Sequence, residues 1–187
     1  MTERYIEFLV DSTGKSPRNL KDSIRRVLNA SAGFKQSWLV GDQQEAYETS
    51  QEAFENLDYI QNELLRQRDV LKGDQASWPT SPFNAALANT VGNLLNNVPP
   101  TDRTWFLGLP PSQGAMPTSA TPIALTLEKA LNKLKHRDTI ALNFSLPSSG
   151  SHILYLFTNA GMGQPDSISE IDVVSFCSAC KSAAQHI

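Results

Sequence analysis

The sequence predicts a mixed α/β fold, in which one mostly antiparallel sheet carries packed helices. Three observations lead there. Apolar residues recur at helical spacing through residues 43–72, with Ala46, Ala53, Leu57, Ile60, Leu64 and Leu71 on one face. Two runs rich in β-branched and aromatic residues, 139–146 and 153–158, are joined by Pro147-Ser148-Ser149-Gly150-Ser151, a turn of hairpin length. Helix-like and strand-like stretches also alternate along the chain, in the order β-α-β-α-α-β-α-β-β-α.

Taken in order, Tyr5-Ile6-Glu7-Phe8-Leu9-Val10 reads as a strand closed by the turn-prone Asp11-Ser12-Thr13-Gly14. Ser16-Pro17 then suits a helix start, because serine caps orphan amides and proline at the first helical position gives up an amide that had no partner. Leu20, Ile24, Val27 and Leu28 form the apolar stripe of that helix. Gly33 is expected to end it, leaving 37–40 as a short strand before Gly41-Asp42. Helix 43–72 closes at Gly73, with Arg66, Arg68 and Lys72 where positive charge suits the helix dipole. Ser81-Pro82 repeats the cap-and-proline start, and Phe83, Leu87, Val91, Leu94 and Leu95 predict a helix to about Asn97.

Residues 104–109 read as a strand, and 110–122, with four prolines and Gly114, as a mobile surface loop. Thr121-Pro122 opens a further predicted helix with Ile123, Leu127, Leu131 and Leu134 inward. After the hairpin, Ser167-x-x-Glu170 has the form of a capping box and predicts a last helix packing through Ile171, Val174, Phe176 and Cys177.

The length of 187 residues fits one domain, 1–187. Hydrophobic residues at 40% and charged residues at 19% place the chain with globular proteins. A net charge of −3 argues against a surface built for nucleic-acid phosphates. No apolar run approaches the roughly 20 residues of a membrane helix, so no membrane partner is expected. The opening Met1-Thr2-Glu3-Arg4-Tyr5 lacks a basic and apolar leader, and a cytoplasmic location is expected.

Gly14-Lys15-Ser16, between a strand-like run and a helix start, sits where a phosphate-binding loop belongs. The full pattern GxxxxGK(S/T) would need glycine at position 9, which is Leu9, and Pro17 removes an amide beside the phosphate. The simpler reading is a turn with a solvated lysine and a capping serine. Cys177-x-x-Cys180 lacks the second ligand pair of a structural zinc site and lies inside a predicted helix, not at its N-terminus; both cysteines read as core. No GxSxG turn occurs, and His136, His152 and His186 are scattered. Glu55, Asp58 and Glu63 read as a solvated helix face. Lys129, Lys133, Lys135, His136 and Arg137 read as a helix end complementing its dipole. Neither a cofactor nor a metal is expected.

Residues 20–42 run from an amphipathic helix through a small-residue turn to a strand-like segment ending in Asp42. Residues 138–187 give a strand, a turn at Gly150, a second strand, a loop with an acidic helix start, and a closing helix rich in alanine. Together these two segments resemble the beginning and end of a GAF-type sensory domain. The resemblance implies an antiparallel sheet, helices that often dimerise, and a pocket for a small ligand. None of the family's binding residues carries over to a position here.

The expected function is therefore a non-catalytic sensory or regulatory module that acts by dimerisation or small-ligand occupancy. Trp78, Phe83, Trp105 and Phe106 are the candidate apolar lining of a pocket. The alternative is a stand-alone protein-interaction factor, such as an immunity or inhibitor protein or a viral or phage accessory protein. A further alternative is a magnesium–nucleotide enzyme using Lys15. The expected partner is a second copy of the chain or another protein.

Overall fold

A computed structural model describes residues 18–119, 121–161 and 163–187, with backbone alone for Arg18 and Asn19. The strand expected at 5–10, the helix start at Ser16-Pro17 and the Gly14-Lys15-Ser16 turn lie outside the described residues.

The architecture is mixed α/β. Two long helices, α1 (Arg18–Val40) and α2 (Gln43–Lys72), form an antiparallel hairpin. A 3-10 turn (Trp78–Thr80) and the short α3 (Pro82–Leu87) lead into β1 (Thr90–Asn96). Then come α4 (Pro100–Leu107), β2 (Ile123–Thr126), α5 (Leu127–Lys135), β3 (Leu142–Ser145), β4 (Ile153–Thr158), β5 (Ser167–Asp172) and α6 (Val173–Ala183). The five strands among the described residues form one sheet in the order β2-β1-β5-β4-β3, and every neighbouring pair is antiparallel. The expected 139–158 hairpin is present, with β3 on the sheet edge and β4 inside it. Among the described residues, no helix is long and apolar enough to cross a membrane.

Strand alternation divides the core in two. Leu94, Leu125, Leu156 and Ile171 point to one face, where α1, α2, α3, α5 and α6 bury Leu20, Ile24, Leu64, Phe83, Leu131 and Phe176. Leu95, Phe157 and Ile168 point to the other, covered by Phe106 of α4 and Val98.

Several elements differ from the sequence expectation, each for a local reason. Gly33 does not stop α1. It lies where α1 and α2 approach closely, and a Cβ there would meet Thr49 Cγ2 at 3.3 Å. The helix runs on through 37–40, the expected strand, and ends at Gly41, whose φ of +79° is open to glycine. There Asp42 N–H reaches back to Ser37 O and Gly41 N–H to Trp38 O, a Schellman closure. Asp42 is the N-cap of α2, its carboxylate accepting from Glu45 N–H at 3.1 Å.

The helix expected at 82–97 stops at Leu87, and 90–96 is β1; Val91, Leu94 and Leu95 satisfy a helical period, but here it is strand faces that bury them. Residues 104–109 are not a strand: Pro100 starts α4 at its first helical position and Gly108 closes it. Thr121-Pro122 opens β2, not a helix. Thr126 caps α5, from which Leu127, Leu131 and Leu134 are buried as expected, while Ile123 is half exposed on β2. Ser167-x-x-Glu170 lies on β5, whose period of two sends Ser167, Ser169 and Ile171 to the helical face. Asp172 caps α6 instead, accepting from Ser175 N–H at 2.7 Å; Phe176 and Cys177 pack inward, and Val174 is exposed. The described residues of the segment 110–122 carry no helix or strand of their own, apart from an isolated bridge of Gln113 to Ser145. It is tied down where Gly114 N–H donates to Phe144 O at 2.8 Å.

Candidate functional site

Between the α1–α2 hairpin and the β3–β4 edge of the sheet lies a cavity of about 190 Å³. Its origin is visible in the side chains. Val27, Ala30, Ser31 and Phe34 occupy successive turns on one face of α1, and Ser50, Ala53, Phe54 and Leu57 do the same on α2. Both facing stripes carry small residues at their centre, so the helices and sheet enclose space instead of filling it. Leu142 and Phe144 of β3, Leu154 of β4 and Val173 of α6 complete the walls.

One polar pair stands in this apolar surround. Ser31 Oγ and His152 Nδ1 are hydrogen-bonded at 2.9 Å, and the His152 carbonyl accepts from Val173 N–H at 3.1 Å, which fixes the residue against α6. Phe34 stacks on the imidazole at 5.0 Å with the planes 5° apart. Phe144 meets Phe34 edge-on at 4.8 Å and Trp38 at 4.9 Å. Burial pushes the His152 pKa down from 6.5 to about 4, with Lys35 acting in the same direction and Asp172 against it. The imidazole is therefore neutral at pH 7.

A serine beside a histidine invites a catalytic reading, but the surroundings do not support one. Ser31 lies within α1, where backbone amides are committed to the helix and form no oxyanion hole. No carboxylate among the described residues hydrogen-bonds the imidazole to orient it, and a base with a pKa of about 4 is weak at neutral pH. The arrangement is suited to binding.

The four aromatic residues expected to line a pocket are placed elsewhere. Trp78 and Phe83 pack together, their ring centroids 6.4 Å apart, against the helical core. Phe106 is buried on the opposite face of the sheet, and Trp105 beside it on α4 is partly exposed. The sheet separates the two pairs, and none of the four lines the cavity. Phe34, Phe144 and His152 were missed because they come from three separated segments. The readable trace was the small pairs Ala30-Ser31 and Ser50 with Ala53 at facing helical positions.

Cys177 and Cys180 are fully buried in α6, and burial pushes the Cys177 thiol up to about 12. They are core residues, as their helical spacing suggests. Two members of the basic cluster at the end of α5 are committed, and Lys129, Lys135 and His136 are exposed: Arg137 makes a two-pronged ion pair with Asp58 at 2.6 and 2.9 Å and lies over the Phe54 ring. Asp58 and Glu63 are thus partnered, although Asp58 stays about half exposed; Glu63 accepts from Arg66 and Gln67. Lys133 Nζ donates to Ser167 Oγ at 2.6 Å, and burial, then Lys129, lowers its pKa. A desolvated lysine beside a serine can serve as base and nucleophile. Ser167 has no exposed surface, so no substrate reaches it.

Comparison with protein-family models, curated proteins and solved structures gave no match.

Proposed function

We propose that this chain is a non-catalytic regulatory module that works by small-ligand occupancy of the cavity between α1, α2 and the β3–β4 edge. The observation that carries the reading is the cavity itself, a preformed and mainly apolar space that holds the part-buried Ser31–His152 pair. An antiparallel sheet with helices on it is also the architecture that the GAF-type resemblance implies, and the reading keeps the sensory class from it. Occupancy has a short route to the surface. Phe34 lines the cavity and stacks on Trp38 with a centroid separation of 6.1 Å. Trp38 adjoins the α1–α2 turn, where Leu39, Val40 and Tyr47 are 75%, 67% and 60% exposed. A ligand that shifts Phe34 thereby shifts the base of an apolar surface fit for a protein contact.

That same surface favours a second reading, an interaction factor that covers a partner or a second copy without any ligand. One experiment separates them. Wild type and Ala53→Phe, which fills the cavity from α2, are screened by thermal shift against a small-molecule fragment panel. A ligand at 100 times its dissociation constant should stabilise wild type by about 2.7 kcal/mol, a shift of several degrees. The expected result is hits that raise the midpoint of wild type and leave Ala53→Phe unmoved. A panel without such hits rejects the ligand reading and leaves the interaction factor.

A further inference from the structure

We propose that the cavity takes a neutral, single-ring arene carrying one hydrogen-bonding group, as a phenol does, with its ring among Phe34 and Phe144 and its polar group at the Ser31–His152 pair. This rests on the ligand-binding reading above and narrows it to one chemical class.

Size sets the first limit. A dry cavity of about 150 Å³ accepts benzene, so about 190 Å³ leaves room for one six-membered ring and a few further atoms. Drug-sized ligands need about 300 Å³ or more, so a nucleotide or larger cofactor could not be contained in it.

The walls set the second. Phe34 is already stacked on His152 and on Trp38, and Phe144 stands at 87° to it; Phe34, Phe54 and Phe144 all line the cavity, so a guest ring is offered aromatic wall in stacked and edge-on orientations. Aromatic pairs prefer these two geometries. An aliphatic ring of the same size gains the burial without the ring contacts.

Charge sets the third. Among the described residues, no Lys, Arg, Asp or Glu lines the cavity. The Lys35 ammonium is held by the Gly150 carbonyl at 2.8 Å. An ionised guest would lose its hydration with no counter-charge in return. A neutral hydroxyl has partners: the Ser31–His152 bond uses Nδ1 and one site on the serine oxygen, leaving the other valences of Ser31 and the imidazole Nε2. Ser50 faces the same space from α2. The Asn143 amide is directed away, donating to the Leu109 and Pro110 carbonyls.

The test is a matched series of phenol, toluene, cyclohexanol and benzoate, titrated into the full chain. Binding is read by methyl NMR at Val27 and Leu154 on the cavity wall. Phenol should bind at least five-fold more tightly than toluene or cyclohexanol, and benzoate should bind most weakly. Ser31→Ala should bring phenol down to the level of toluene and leave toluene unchanged. Toluene equal to phenol in wild type overturns the polar recognition, cyclohexanol equal to phenol overturns the aromatic preference, and benzoate binding most tightly overturns neutrality; in each case the cavity still binds a ligand. If none of the four shifts Val27 or Leu154, the arene proposal is overturned, while the fragment panel decides the broader reading separately. Because the wild-type series alone discriminates, the proposal stays falsifiable should Ser31→Ala fail to fold.

Discussion

Ser31 and His152 lie 121 positions apart in sequence and within 2.9 Å of each other in the fold, where they clip the middle of α1 to the start of β4. The contact has a pH signature. His152 titrates near 4 in the folded chain and near 6.5 when unfolded.

The unfolded chain therefore binds more protons between these values, and stability must fall as pH drops through that window. Above about 6.5 the residue is neutral in both states and contributes no slope. The full effect, reached near pH 4, is about 3 kcal/mol. Urea midpoints between pH 7 and 4, compared for wild type and His152→Gln, should show the variant losing markedly less stability on acidification. Parallel curves would mean that the imidazole is not buried as described.

Gly92 supplies a second prediction. It faces β5 so closely that a Cβ would lie 1.8 Å from the Glu170 carbonyl oxygen and 3.1 Å from Ile171 Cα. These are backbone atoms in the middle of the sheet, beside the irregular register between Thr90 and Gly92, and they cannot rotate away. Gly92→Ala should cost at least about 2–3 kcal/mol, as overpacking of a rigid site does, and lower the melting midpoint by several degrees. Gly150→Ala is a useful contrast: its Cβ would meet nothing, and only the φ of +81° opposes it. A Gly92→Ala protein as stable as wild type would reject the β1–β5 register.

These positions show how far the sequence could be read. Helix 43–72 and the 139–158 hairpin were legible because each combines a clean period with a proper terminator, Gly73 or the turn at Gly150. Gly33 misled, and Gly92 carried a signal that the helical pattern around it hid. One is a helix-packing glycine that looks like a stop, and the other marks a close strand approach inside a pattern that also fits a helix. Ser167-x-x-Glu170 misled because a central strand facing tightly packed helices needs small residues, and serine there looks like a cap. The cavity was illegible for a different reason. It exists where side chains are small, and only the tertiary pairing of α1, α2 and β3 shows that no other described residue fills the gap.

The Arg137–Asp58 pair joins the end of α5 to the middle of α2, and so holds the cavity-bearing hairpin to the sheet side of the fold. Both guanidinium NH groups engage the carboxylate, at 2.6 and 2.9 Å, and a third bond goes to the Leu134 carbonyl at 2.7 Å. The Arg137 side chain is largely buried and Asp58 about half exposed, so solvent screens the attraction in part. Two-pronged geometry and the Phe54 ring beneath the guanidinium raise it above an ordinary surface pair. A double-mutant cycle of Asp58→Asn and Arg137→Gln, read by urea denaturation, should give a coupling energy of about 1–2 kcal/mol. Arg137→Gln alone should cost more than Asp58→Asn, because it also loses the Leu134 bond and the stacking on Phe54. Additive effects, with no coupling, would show that this pair does not hold the two helices together and would leave that task to apolar packing and to Glu128, which pairs with Arg68 and Lys72 of α2.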